Sequence, residues 1–553
     1  MEAGEQCRVH TSRDRAYALS RIEEEGLSFI TIVLPQFEKD LVRSLSEGCV
    51  SSNHFVGFRR RGGLPAFLSG FLRKVFDSSG SLLSDPDIGA IRAIRQICLL
   101  LSKVEQKTTP RREQAALDAY VRTDGEVEEY TVDEVFDGVV RREILPFLSD
   151  VEHEILTNFR PRHSSGALAT RESYNARFGF STWTDRLQHI LPWWHDMGLT
   201  LRQQMSLDVQ ILPRTEEVPV RIISVPKTMK TPRIIACEPA WMQFVQQGIL
   251  TAMVDVLQRP NHRRLMSVMG WLDQGPNRDL ARIGSIDGEL ATLDLSEASD
   301  RVSLSHVTAL LRYTPHLREA VLAARSERAK LPDGRVINLK KFASMGSALC
   351  FPFESLVFYT LIRVAQIRSG QLEVPSSNTT RVYGDDLIVP RSTAHVVISE
   401  LEANGLKVNS GKSFTTGLFR ESCGSDWYSG VDVGVFKLRS PLPDNKRQYD
   451  QIRSTIEFHN RAYEAGWYSV AEFARELLAP MVGLVLFKRP ESTAIAFSSY
   501  DRNPKYRVNP GLQTLQVRSY VFREIKPVDA ADGEAALRKH FQPHGLPRDK
   551  EHL

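Results

Sequence analysis

Two adjacent aspartates stand in a run that can fold in few ways. In Thr380-Arg-Val-Tyr-Gly-Asp-Asp-Leu-Ile-Val-Pro390, the pair Gly384-Asp385 lies between two short β-rich runs, Arg381–Tyr383 and Leu387–Val389. The spacing predicts a hairpin with a two-residue turn, and Pro390 closes its second strand. Such a hairpin holds Asp385 and Asp386 together on a rigid support, which like charges resist unless a cation neutralises them. A hard divalent metal such as Mg²⁺, bound through oxygen, is the natural neutraliser. An ordinary acidic turn explains the same residues, because Asp is common in turns. The rest of the chain must decide between the two.

With 553 residues, 42% hydrophobic and 25% charged, the composition is that of an ordinary soluble protein with several cores. The 71 basic residues barely exceed the 67 acidic ones, so any affinity for a polyanion must come from local patches. Cys7, Cys49, Cys98, Cys237, Cys350 and Cys423 are scattered without a C-x-x-C spacing, which points to a reducing compartment and away from zinc or iron–sulfur sites. The N-terminus lacks the layout of a signal peptide, and no run reaches the roughly 18 apolar residues that span a bilayer. A cytoplasmic protein without a membrane partner is expected.

No internal repeat or long low-complexity tract stands out. Helical spacing marks the first 110 or so residues, for example Ile91–Leu101, and returns over 441–525. Residues 105–135 are highly charged and read as exposed loop and surface helix. From Val528 the chain is polar and carries prolines, which predicts a mobile end.

Three further stretches bear on the aspartate pair. Ala291–Leu295 reads as a buried strand with Asp294 at its end, followed by a helix over Ser303–Leu311 with Ser299 or Asp300 as caps. Asp294 is either a helix cap or a functional carboxylate. If its strand neighbours the hairpin, three carboxylates can hold two cations about 3.5–4 Å apart, an arrangement suited to in-line phosphoryl transfer. Next, Ser344-Met-Gly-Ser-Ala-Leu-Cys-Phe-Pro-Phe-Glu-Ser355 places a glycine loop ahead of a helix whose apolar stripe is Phe353, Leu356, Val357, Thr360, Leu361 and Val364. The stripe reads as core, whereas Ser344, Gly346 and Glu354 stand where a ligand can approach the backbone closely. Finally, Lys227, Lys230 and Arg233 recur every third residue in a proline-punctuated, extended stretch over 215–240. That spacing lines one side of a triphosphate channel or forms a solvated basic face. Gly405–Ser413 imitates a phosphate-binding P-loop but has five residues between its glycines rather than four, and is set aside.

Taken together, the chain resembles the RNA-directed RNA polymerases, and more narrowly the replicase β subunits of the leviviruses, positive-strand RNA bacteriophages. The resemblance rests on Asp294-Leu-Ser-Glu-Ala-Ser-Asp300, Ser344-Met-Gly346 with Glu354-Ser-Leu356, and Val382-Tyr-Gly-Asp-Asp386. It continues through Lys412-Ser-Phe414, Phe419-Arg-Glu-Ser-Cys-Gly424, Gly430–Val433 and the basic element from Val225 to Pro239, all in family order over about 220 to 435.

This resemblance implies an α+β, right-hand polymerase of fingers, palm and thumb, with the catalytic carboxylates on an antiparallel palm sheet. It divides the chain into a helical region 1–90, fingers 91–280, a palm 281–440 with a finger-side insertion at about 312–343, and a thumb with tail 441–553. It implies RNA synthesis from NTPs on a single-stranded template, with release of pyrophosphate. Asp294, Asp385 and Asp386, with the Leu295 carbonyl, would bind two Mg²⁺ ions, for which Mn²⁺ can substitute. Lys227, Lys230 and Arg233 would neutralise the triphosphate. Asp300, Ser344 and Glu354, beside Gly346, would sense the ribose 2′-hydroxyl. Lys412 would act near the pyrophosphate as a general acid, and Phe419–Gly424 would form a turn supporting the primer end.

The sequence departs from related polymerases at Cys350, where a helix threonine is usual, and at Pro352, expected to remove a helical hydrogen bond. Host elongation factors Tu and Ts and a ribosomal RNA-binding protein are the implied partners, and the cytoplasm of an infected bacterium the implied location. A reverse transcriptase is the nearest rival, although the small polar residues Ser296–Asp300 leave room for a 2′-hydroxyl. A non-catalytic RNA-binding protein on the same scaffold is the other.

Overall fold

The computed structural model describes the whole chain except residues 106–107, 132, 173–174, 180, 194–208, 372–375, 503, 505, 523–532 and 542–553. Most of the tail from Val528 therefore lies outside the described residues, apart from a helix over Gly533–Phe541.

The chain forms two units. The first joins residues 1–113, 226–232 and 431–526. Its N-terminal part is helical, as the spacing predicts, with helices over Ser12–Glu25, Leu34–Glu47 and Ile88–Leu99. Its C-terminal part contributes the helix pair Tyr449–Glu464 and Tyr468–Val482. The two parts share cores: Val104 packs with Phe436, Leu438, Phe458 and Ala474. Buried Arg95 donates to Glu38 at 2.7 Å and to the Val433 carbonyl at 2.5 Å, and Gln96 bonds both the carbonyl and the amide of Phe436.

The second unit comprises residues 114–225, 233–430 and 527–553. The elements that concern the site, in chain order, are α1 (Pro110–Gly125), β1 (Val220–Val225), β2 (Arg233–Cys237), α2 (Ala240–Leu257), β3 (Leu290–Asp294), α3 (Ala298–Arg301), α4 (Leu304–Leu310), β4 (Arg328–Lys330), β5 (Val336–Asn338), α5 (Cys350–Arg368), β6 (Arg381–Tyr383), β7 (Asp386–Pro390), α6 (Arg391–Ala403), β8 (Phe419–Ser422) and β9 (Ser425–Tyr428).

Strands β6, β7 and β3 form an antiparallel sheet in that order. Residues 407–414 bond the free side of β3, through Asn409 N–H to Asp294 O at 2.8 Å and Phe414 N–H to Thr292 O at 2.7 Å. Leu290, Ala291, Thr292 and Leu293 are all buried, so both faces of β3 are covered, which explains the continuous rather than alternating run. A second sheet, ordered β2-β1-β4-β5, unites the basic stretch with the 312–343 segment. The unit is thus α+β.

Helix α5 runs through the core of this unit. The sequence suggests a one-sided stripe, yet α5 is buried from Pro352 to Gln366 all round. Even Arg363 is enclosed, paired with Glu143 at 3.1 Å, while Tyr359 donates to the same carboxylate at 2.7 Å. Among the described residues, α5 is the one helix long and apolar enough to cross a membrane. Its burial within the unit is that of a core helix. Pro352 removes no bond, because it sits in the first turn, where an amide has no intrahelical acceptor. The cap of α4 is Ser303 rather than Ser299 or Asp300: Ser303 and His306 form a reciprocal capping box, and the short α3 separates them from the predicted caps.

Candidate active site

The hairpin forms as its sequence demands. Tyr383 pairs with Asp386 across the two-residue turn Gly384-Asp385. Gly384 has φ 55°, and a Cβ there would lie 2.8 Å from Phe351 Cε2 and 3.1 Å from Glu354 Oε1. A bare backbone is therefore what lets the turn seat against the first turn of α5.

Asp386 lies directly opposite Asp294 in the β7–β3 register, so the two carboxylates share one face of the sheet. Asp385 stands next to them, exposed at the turn. Burial, then the charges of Asp385, Asp294 and Glu421, push the Asp386 carboxyl up to about 7. Its Oδ2 accepts from the Cys423 amide at 3.2 Å. That amide belongs to the β8–β9 turn, Cys423-Gly424, where both residues have positive φ. Phe419–Gly424 is thus a strand leading into a turn that touches the aspartate cluster.

Asp294 accepts from Asn409 Nδ2 at 2.7 Å and from Lys412 Nζ at 3.5 Å. Burial works to lower the Lys412 pKa, but Glu421, Asp294 and Asp386 together hold this ammonium well above its usual range. The segment that imitates a P-loop therefore supplies Asn409 and Lys412 to a carboxylate rather than a cradle for phosphate.

An all-oxygen set of clustered aspartates short of positive charge suits a hard divalent cation. As the side chains stand, no three His, Cys, Asp or Glu groups among the described residues converge to hold a metal. Asp294 is turned to Asn409 and Lys412, and Asp386 to the Cys423 amide.

Glu354 lies within electrostatic reach of Asp385 and Asp300, and Ser344 and Gly346 stand in the loop ahead of α5. Lys341 Nζ donates to Asp300 Oδ1 at 2.9 Å, and Tyr120 Oη hydrogen-bonds Ser344 Oγ at 2.8 Å. Gly346, at φ 127°, bears against β2: a Cβ would fall 2.0 Å from the Ala236 carbonyl oxygen. The neighbouring Met345 carbonyl accepts from the Ala236 amide at 2.8 Å. Glu354 is held well above the usual carboxyl range by burial and then by Asp385 and Asp300. Cys350 Sγ lies 3.9 Å from Glu354 Oε2, so the thiol faces the carboxyl group where a threonine was expected.

The basic element differs from its sequence reading. Lys227, Lys230 and Arg233 do not share one extended strand: β1 and β2 pair as a hairpin, with Val225 opposite Arg233. Lys227 and Lys230 lie in the intervening loop, which belongs to the first unit, whereas Arg233 opens β2 in the second. The prolines that suggested a stiff strand instead bound the connection.

Sequence reasoning missed Lys341, Tyr120, Asn409 and Glu421. Asn409 was visible inside the rejected P-loop pattern. Tyr120 stood in a stretch read as charged surface, and nothing local marked it or Lys341.

The chain is 40% identical over 223 residues to the RNA-directed RNA polymerase subunit beta of Enterobacteria phage SP, covering 40% of this chain and 36% of that protein. It is 36% identical over 304 residues to the subunit of Escherichia virus Qbeta, covering 54% and 48%. It is 37% identical over 222 residues to the beta chain of Escherichia phage MS2, covering 40% and 38%. The chain thus matches between about a third and a half of the length of these relatives. Among solved structures, the RNA-dependent RNA polymerase of a human picorbirnavirus aligns at 12% identity with a TM-score of 0.40, over 70% of this chain and 76% of that one. The family model for the RNA replicase beta-chain matches residues 113–453, which take in every aspartate, glycine and lysine described above, and the chain belongs to that family.

Proposed function

We propose that this chain is an RNA-directed RNA polymerase, copying single-stranded RNA from NTPs by nucleotidyl transfer in a right-hand framework. The observation that carries the proposal is the Asp294–Asp386 register pair with Asp385 at the adjoining turn. Asp294, Asp385 and Asp386, with the Leu295 carbonyl, would hold two Mg²⁺ ions, which when bound supply the charge neutralisation and hydroxyl activation that phosphoryl transfer needs. Lys412 stays protonated through ordinary pH and carries a proton for the departing pyrophosphate. Asp300, Ser344 and Glu354 bind the ribose, and Lys227, Lys230 and Arg233 balance the triphosphate. The resemblance extends the proposal to elongation factors Tu and Ts and a ribosomal RNA-binding protein as partners, checked by pull-down from bacterial lysate.

The test is incorporation of labelled nucleotides on an RNA template with Mg²⁺, with host factors added. Asp294→Asn and Asp385→Asn are each expected to lose about 10³-fold or more in rate, since metal-borne charge stabilisation is worth several kcal/mol. Equal incorporation by wild type and Asp385→Asn removes the proposal. A preference for deoxynucleotides turns it toward reverse transcription.

A further inference from the structure

Lys341 is a charged side chain with no exposure at all. Burying an ammonium costs several kcal/mol unless its surroundings compensate. Here they do so from two sides: the Asp300 carboxylate lies at 2.9 Å, and the Tyr120 ring presents its face to Nζ at 3.5 Å from the centroid. The backbone is pinned as firmly. Asp124 accepts from the amides of Lys340 and Lys341 at 3.2 Å each, Arg325 donates to the Lys341 carbonyl at 2.8 Å, and the Phe342 amide donates to Val302 O at 2.8 Å. Tyr120, itself only 5% exposed, passes the contact on through its hydroxyl to Ser344 Oγ at 2.8 Å. A buried relay, Asp300–Lys341–Tyr120–Ser344, therefore ties α3 to the glycine loop ahead of α5 by way of α1.

The relay settles what its two ends can offer. Lys341 engages Oδ1 of Asp300, which leaves Oδ2 as an acceptor. When the Tyr120 hydroxyl donates to Ser344 Oγ, the serine's own proton is left to donate elsewhere. A hydroxyl group both donates and accepts, so an acceptor at one end of the relay and a donor at the other are its complement. A ligand without that hydroxyl leaves both polar groups unpaired, which is the costly case.

We propose that Lys341 and Tyr120 are positioning residues that set Asp300 and Ser344 as a matched acceptor and donor for the ribose 2′-hydroxyl, so that two buried side chains that never touch the nucleotide decide sugar discrimination. This rests on the polymerase reading above.

The test compares kcat/KM for CTP and dCTP on one RNA template, using the full chain with its host factors. Tyr120→Phe keeps the ring over Lys341 and loses only the hydroxyl. It is expected to lower the CTP/dCTP ratio about tenfold, the worth of one buried hydrogen bond with its partner left unsatisfied. Lys341→Met is expected to lower the ratio further, and Lys341→Arg to restore part of it. Thermal melts accompany each variant, and Tyr120→Phe keeps the test decisive if Lys341→Met fails to fold. A Tyr120→Phe enzyme whose CTP and dCTP efficiencies fall in parallel, with the ratio unchanged, shows a structural role and overturns the inference. Wild type that incorporates neither nucleotide overturns the polymerase reading and this inference with it.

Discussion

Glu238 shows how one buried carboxyl can set the stability of this chain against pH. It is 4% exposed, accepts from Ser326 Oγ at 2.5 Å, and is pushed by burial up to about 7, against the opposing pull of Ser326, Gln246 and Arg325. Because this lies above the ordinary carboxyl value of 4.5, the folded state keeps its proton where the unfolded chain has lost it. The contribution is full below about pH 4.5 and is lost as pH rises through about 7, an effect of up to about 3 kcal/mol. Urea unfolding at pH 5 and pH 8 should show wild type weakening over this window and Glu238→Gln lacking that part of the slope. Equal slopes would refute it. The aspartates were legible residue by residue, since Asp294, Asp385 and Asp386 sit at a strand end and a tight turn. Lys341 and Tyr120 were not, because a buried lysine is recognised only by the groups that neutralise it, and these are distant in sequence.

At the scale of elements, the glycine loop and the hairpin depend on close backbone approach. Gly346→Ala combines an unfavourable φ with a Cβ 2.0 Å from the Ala236 oxygen, so the loop must part from β2 and give up the Met345–Ala236 bond. The expected loss is about 2–3 kcal/mol, seen as a lower melting temperature together with reduced nucleotide incorporation. Gly405→Ala is the control: φ is 77°, but nothing lies within 4 Å, so only the backbone term of about 1 kcal/mol applies. Equal shifts for the two would show that the contact with β2 is not what fixes the loop. The strands and the two-residue turn were readable because local chemistry dictates them. The full burial of α5 was not, because a periodic stripe reports the face that must be covered and is silent on whether neighbours cover the others.

For the whole molecule, residues 1–113 and 431–526 are bound into one unit. Arg95, 3% exposed, joins Glu38 to the Val433 carbonyl, and Val104 sits in the core of the C-terminal helices. Arg95→Ala leaves Glu38 buried without its partner, which costs about 3–5 kcal/mol. Differential scanning calorimetry should show a fall in the melting of the unit that contains 431–526, although the substitution lies far from it in sequence. An unchanged melting profile would contradict this. The sequence by itself determined the strand carrying Asp294, the hairpin carrying Asp385 and Asp386, and the order of the motifs, because each follows from local conformational preference and spacing. Only the tertiary structure decided that Asp386 rather than Asp385 lies opposite Asp294, that Asn409 and Lys412 serve the same carboxylate, and that Lys341 and Tyr120 connect Asp300 to Ser344. These are matters of strand register and of neutralising buried charge, and both arise only when segments far apart in the chain are packed together.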